Sequence, residues 1–321
     1  MLRRLLPDPF ILLLVSTVAL ASILPASGVG AQIVGWLATA AVVLLFFLHG
    51  AKLPREAVIA GLRHWRLHLT ILSFTFLIFP LVGFGASKLF AGLMDPVLWT
   101  GILFLAALPS TVQSSIALTS LAKGNVPGAI ASASASQILG IFLTPPIIGV
   151  LASAHGGGVE LGSVGGILLQ LLAPFVAGHL LRPWIGAFVD RNKKYIGYSD
   201  RSAILLSVYS AFSAAVIEGV WSRLPLKELG ILFLVCAVLL AVMLGLTQIV
   251  TKLLGFNRED RITAIFCGTK KSIVSGIPMA RVLFAGPDMG LILLPVMIFH
   301  QMQLMACAWL ARRWGQETAQ T

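Results

Sequence analysis

The sequence predicts an all-α polytopic membrane protein. Ten transmembrane helices form two inverted five-helix repeats, and the fourth and ninth helices are broken. Three observations predict this. Of 321 residues, 58% are hydrophobic and 11% charged, with mean hydropathy +0.95. An ordinary soluble chain carries about 25% charged residues. Ten apolar stretches recur along the chain, and the basic residues between them fall overwhelmingly on alternate connections.

A soluble fold of this size has too little interior to hide so much apolar surface. The formal net charge is +11; placed between apolar spans, it reads as the cytoplasmic bias of a membrane protein and not as a nucleic-acid surface. Cys236, Cys267 and Cys307 all lie inside apolar stretches at no metal-ligand spacing, so they read as buried thiols. There is no HExxH, GxSxG, Walker loop or EF-hand pattern, which removes the soluble enzyme and the metalloprotein classes.

A span needs about 20 apolar residues, fewer where it is tilted or broken. The candidates are 10–26, 30–49, 67–91, 97–121, 126–153, 161–181, 202–221, 228–254, 262–285 and 289–310. Arg3 and Arg4 before an apolar run ending near Ser27 also fit a cleaved leader. Its removal would leave nine spans and break the symmetry. With the chain alternating sides, 17 Lys and Arg fall on one side and four (Lys88, Arg223, Lys227, Arg281) on the other. That bias places both termini in the cytoplasm. Lys270 and Lys271 remain, inside a span.

The longest polar connection, Arg182 to Arg201, reads as a cytoplasmic linker (182–201) between a first block, 1–181, and a remainder, 202–321. Division of ten spans into five and five opens the second repeat at span six, 161–181. Two blocks with an odd number of spans have opposite orientations, the inverted-repeat plan of many secondary transporters.

In such plans the binding site is marked by interrupted apolar segments at corresponding places in the two halves. Spans four and nine fit. Span four contains Leu108-Pro109-Ser110-Thr111-Val112-Gln113-Ser114-Ser115, and span nine contains Cys267-Gly268-Thr269-Lys270-Lys271-Ser272 followed by Ser275-Gly276-Ile277-Pro278. Backbone freed by a helix break survives in hydrocarbon only when buried in protein or lining a polar cavity. The half-helix N-termini then offer N–H donors to an anion, and carbonyl ends can hold a cation.

A lysine at mid-bilayer costs roughly 2.5–3.5 kcal/mol on insertion scales and needs a partner or a role. All twelve acidic residues lie in loops or at span ends, Glu218 being the nearest to an intramembrane position. Three readings remain for Lys270 and Lys271: contact with carbonyl ends, release of one proton, or an anionic substrate as partner. Neighbouring helical residues differ by about 100°, so the two lysines point apart. Lys270, nearer the glycine break, reads as the one facing the cavity. In span five, Ser132 and Ser136 share a face, with Gln137 beside them. Small residues there also suit close helix packing. In span ten, His300, Gln301 and Gln303 read as packing or gate hydrogen bonds.

These segments resemble the sodium/bile acid symporter superfamily, in particular its SBF-like, YfeH-type branch. The marks are Leu108–Ser115, Ala122-Lys123-Gly124-Asn125-Val126, Leu143-Thr144-Pro145-Pro146 and Gly268-Thr269-Lys270-Lys271-Ser272, and the resemblance covers essentially the whole chain. It implies a panel domain and a core domain, with broken spans four and nine crossing in the core beside a substrate cavity. Sodium-coupled members carry a Ser-Asn pair at the positions of Ser114-Ser115. They have an acidic residue where this chain has Phe266, a Gln-Asn pair where it has Lys270-Lys271, and a third-span glutamine where it has Thr75. Those changes take oxygens and the one formal negative charge from a cation site. By charge logic Lys270 stands in for the bound cation.

The expected function is secondary transport of a small organic anion across the inner cell membrane, for example a bile acid-like or other amphipathic carboxylate or sulfonate. It would proceed by alternating access, with sodium or a proton as coupling ion and no other cofactor. The expected binding residues are Thr111, Gln113, Ser114, Ser115, Ser132, Ser136, Gln137, Thr269, Lys270, Lys271 and Ser272, with any sodium near Ser114 and Ser115. The partners are the anion and the bilayer, and no nucleic acid. The alternative is a non-transporting membrane regulator of calcium homeostasis on the same fold. An intramembrane enzyme is disfavoured, because the spans hold no GxGD motif, paired carboxylates or Ser-His pairing.

Overall fold

A computed structural model describes residues 9–52, 64–154, 164–219, 224–284 and 286–317. Helix is the only regular structure among them. Thirteen α-helices follow in chain order: α1 (Pro9–Ile23), α2 (Gly28–Lys52), α3 (Trp65–Ser73), α4 (Phe79–Leu89), α5 (Pro96–Ala107), α6 (Gln113–Leu121), α7 (Val126–Ala154), α8 (Val164–Arg191), α9 (Lys193–Ile217), α10 (Leu226–Leu253), α11 (Arg258–Gly268), α12 (Ile273–Leu283) and α13 (Met289–Glu317). Among the described residues, seven stretches are long and apolar enough to cross a bilayer, and α1 and α5 add shorter apolar helices. The protein is a multi-pass membrane protein.

The third span, Trp65–Leu89, joins α3 to α4 through a π-helical segment, Phe74–Ile78. Pro80 explains the widened turn. A proline has no N–H to return to an earlier carbonyl. The N–H of Phe79 bonds the carbonyl of Phe74 instead. In this wide register the acceptor for position 80 would be Thr75, whose carbonyl is left over. The polar stretch 182–201, expected as a connection, is helical on both sides of Asn192. Asn192 is the sole residue between α8 and α9. Two of the charges in this stretch are partnered: Asp200 lies 2.5 Å from Lys52 Nζ, and Arg182 donates to the carbonyl of Ala51.

The chain forms two compact units, each assembled from non-contiguous segments. The first comprises Met1–Leu53, Leu169–Pro225 and Ile277–Leu291. In it α9 packs against α1 and α2, and α2 meets α8 through two glycines. A Cβ on Gly50 would collide with the Phe175 carbonyl, and one on Gly178 with the Phe47 carbonyl. Both obstacles are backbone, so the approach tolerates no side chain on either helix.

The second unit comprises Pro54–Leu168, Leu226–Gly276 and Ile292–Thr321. Its core includes Leu118, Ile262, Ile265, Phe266 and Cys307 from α6, α11 and α13. A polar brace fixes one end. Asn125 donates to Asp260 at 2.7 Å and accepts from the N–H of Gly128, while Thr263 donates to the Asn125 carbonyl. The Ala122–Val126 segment is therefore the junction that ties α6 and α7 to the start of α11. Cys236, Cys267 and Cys307 are buried free thiols.

Gly178→Ala is expected to lower thermal stability in detergent by about 1–3 kcal/mol, the usual cost of overpacking. Gly197→Ala, in α9 with open space around its Cα, is expected to be neutral or stabilising by up to about 1 kcal/mol. Equal melting temperatures for the two variants would refute the close-approach account.

Candidate functional site

The site lies within the second unit, where the break between α5 and α6 meets the break between α11 and α12. Pro109 ends α5: Leu108 before it takes an extended conformation, φ −66° and ψ 151°, as sterics at an X-Pro bond require. Five successive carbonyls, at 106–110, are thereby left without helical partners, and each is satisfied from elsewhere. Ala106 and Leu108 accept from Lys271 Nζ at 2.6 and 2.9 Å. Ala107 accepts from Thr144 Oγ1 at 2.8 Å, and Pro109 from the N–H of Ser272 at 2.9 Å. Ser110 accepts from Gln137 Nε2 at 2.5 Å, and its own N–H donates to Ser136 Oγ at 3.0 Å. The side chain of Gln137 also accepts from Ser275 Oγ.

The second break, Thr269–Ser272, separates α11 from α12. Gln303 on α13 pairs with both backbone groups of Lys271: its Oε1 accepts the Lys271 N–H at 2.8 Å, and its Nε2 donates to the Lys271 carbonyl at 2.8 Å. Thr269 Oγ1 donates back to Ile265, and Ser272 Oγ accepts the N–H of Ser275 at the start of α12. Such capping satisfies backbone donors that the helix start leaves unpaired.

The two lysines, both fully buried, have different surroundings. Lys271 Nζ has three donors and three carbonyl acceptors, from Ala106, Leu108 and Thr75 (2.8 Å), with the Phe79 ring centroid 4.2 Å away. The Thr75 carbonyl is the one that Pro80 leaves over. An ammonium placed among carbonyl oxygens and against an aromatic face is bound as a free monovalent cation would be. Lys270 Nζ instead donates to Ser114 Oγ at 2.6 Å, its one hydrogen bond among the described residues. Ser114 in turn donates to Thr111 at 2.9 Å, Thr111 shares a 2.9 Å bond with Ser115, and Ser115 donates to the Phe266 carbonyl at 2.9 Å. Neither lysine forms an ion pair among the described residues.

Of the expected residues, Thr111, Ser114, Ser115, Ser136, Gln137, Lys270, Lys271 and Ser272 therefore belong to one network across the two breaks. Thr269 is turned back into its own helix. Ser132 is buried against His68 Nδ1 at 2.6 Å. Gln113, at the start of α6, is exposed and stands apart from the network. The cation-like position belongs to Lys271, not Lys270 as charge logic suggested, because Lys271 alone reaches the carbonyl ends. The sequence reading overlooked Pro80 and His68 and assigned Gln303 only to packing or a gate. A proline inside an apolar span was the available signal for the first.

Lys271→Met would strand three buried carbonyls at about 1–3 kcal/mol each before relaxation. It is expected to lower the melting temperature in detergent at least twice as far as Lys270→Met, which removes one hydrogen bond. The reverse order in a thermal-unfolding comparison would refute the division of roles.

Residues 8–316 match the model of the SBF-like CPA transporter family. A protein of Pseudomonas aeruginosa with no assigned function is 53% identical over 98% of this chain and 94% of its own length. YfeH of Escherichia coli (strain K12), whose name offers it as a symporter, is 51% identical over 98% of this chain and 94% of its own. The mouse protein named sodium/bile acid cotransporter 7 is 31% identical over 83% of this chain and 79% of its own length. With the family match over nearly its whole length and relatives at 51–53% identity, the chain belongs to the SBF-like CPA transporter family, a family of transporters and not of enzymes.

Proposed function

We propose that this transporter carries a small organic anion of the amphipathic carboxylate or sulfonate kind across the inner membrane by alternating access, and that it does so without sodium. The observation that carries the anion is Lys270: a buried ammonium at the meeting of the two breaks, held by one serine hydroxyl and without an ion pair among the described residues. A carboxylate or sulfonate would supply the missing charge and accept from the two Lys270 N–H donors that Ser114 leaves over. The names of the relatives are consistent with a symporter and with an anionic substrate.

The reading without sodium rests on Lys271. Its ammonium takes carbonyl oxygens from three positions that would otherwise be open to a cation. Lys270 stands on Ser114, and Ser115 is committed to Phe266. A proton remains as the coupling ion.

The architecture we propose has ten spans. Joining α5 to α6 and α11 to α12 as two broken spans, and adding α1 to the seven long helices, brings the count to ten. They would form two five-span inverted repeats, the second opening at 161–181, with cytoplasmic termini. The unit holding both breaks would be the core and the other unit the panel.

The test is uptake by purified protein in liposomes, using taurocholate, benzoate and an alkyl sulfonate under a sodium gradient, a proton gradient or neither. Uptake is expected without sodium, lowered at least about tenfold by Lys270→Ala, the loss of one charge-assisted contact. Sodium-driven uptake that survives Lys270→Ala would refute the charge argument. Absence of uptake in every gradient would favour the regulator of calcium homeostasis.

A further inference from the structure

The first unit holds a feature that the reading above does not use. A cavity of about 390 Å³ opens between the start of α2, the end of α9 and Arg281 of α12. That volume lies in the range of sites for small organic ligands, roughly 300–1,000 Å³.

Arg281 is fixed in the wall by two hydrogen bonds: Nη1 donates to Ser210 Oγ at 2.7 Å, and Nη2 to the Gly35 carbonyl at 2.9 Å. A guanidinium has five N–H donors in a planar fork. Two of them therefore set its orientation and leave donors over for a ligand. No carboxylate pairs with it among the described residues.

Ser213 makes the second, independent observation. It lines the same cavity, is 2% exposed, and its hydroxyl has no hydrogen-bond partner among the described residues. Four other helical hydroxyls of the first unit bond back one turn: Thr17 to Leu13, Ser22 to Val18, Thr39 to Gly35, and Ser207 of the same helix to Ala203. Ser213 declines that bond on a cavity wall that also carries a half-free guanidinium. A buried unpaired hydroxyl is costly, so the position calls for an acceptor from outside the protein.

The wall also selects. Glu218 lines the cavity and is exposed, so a ligand with two negative charges would bring one of them against a carboxylate. The remaining wall is largely apolar, with Val34 and Ile217 among its residues. We propose that this cavity is a second binding site, for a small monocarboxylate, whose carboxylate takes Arg281 and the Ser213 hydroxyl and whose apolar part lies along the wall. The site is separate from the Lys270 network and does not depend on the transport reading.

The test is calorimetric titration of the intact protein in detergent with hexanoate and with adipate, which differ by one terminal carboxylate. Hexanoate is expected to bind saturably, and adipate about tenfold more weakly. Arg281→Gln should weaken hexanoate by about tenfold or more, the loss of a charged hydrogen-bonded contact. Glu218→Gln should bring adipate within about threefold of hexanoate by removing the like charge. Ala31→Leu fills the cavity while leaving the Arg281 bonds in place, so its expected loss of binding does not hinge on Arg281 folding. Unchanged affinity in both Arg281→Gln and Ala31→Leu would overturn the proposal. So would loss of hexanoate binding in Lys270→Ala alone, or no binding to the wild-type protein.

Discussion

A peptide group without a hydrogen-bond partner is not tolerated in hydrocarbon, and the second unit is organised around that constraint. Each interrupted span exposes backbone that an intact helix would have paired internally. The protein answers with side chains from elsewhere in the fold: Thr144, Gln137 and Ser136 from α7, Gln303 from α13, and Lys271 from the opposite break. The two breaks also bond each other directly, through Ser272 and Pro109. Neither interruption is therefore a local flexibility. Each is held in place by the other and by two flanking helices.

The same constraint separates two adjacent lysines into different chemical classes. Lys271 is consumed by backbone: its three donors meet three carbonyls. Lys270 meets only a hydroxyl and the relay behind it. Identical side chains one residue apart thus differ in what they leave available to a ligand. The difference comes from the helix ending between Gly268 and Ile273, which frees the two side chains from a shared helical geometry.

Much of this was legible in the sequence. Apolar stretches locate the seven long helices found among the described residues, since the thickness of the bilayer core sets their length. Pro109 and the Gly268–Ser272 run locate the breaks. The assignment of the lysines was not legible, because it depends on where carbonyls from α5 and the third span end up in space. Charge counting favoured Lys270 for the cation-like place, and coordination gives that place to Lys271. Gln303 was equally hidden: a glutamine that pairs with a peptide group looks, in sequence, like any polar residue in an apolar helix. The helical character of 182–201 was not legible because its charges mark a connection between apolar runs without saying whether that connection is helical. The pairing of Lys52 with Asp200 shows how such charges are accommodated in helix.

Pro80 and Lys271 lie 191 positions apart in sequence yet act on one atom, the carbonyl oxygen of Thr75. In genetic terms they form an epistatic pair. A residue with an N–H at position 80 could claim that oxygen for the helix and leave the ammonium with two carbonyls in place of three. A chain without the ammonium would in turn gain from restoring that N–H. Substitutions at these two positions should therefore drift together among descendants of this sequence, and neither can be judged neutral without knowing the residue at the other.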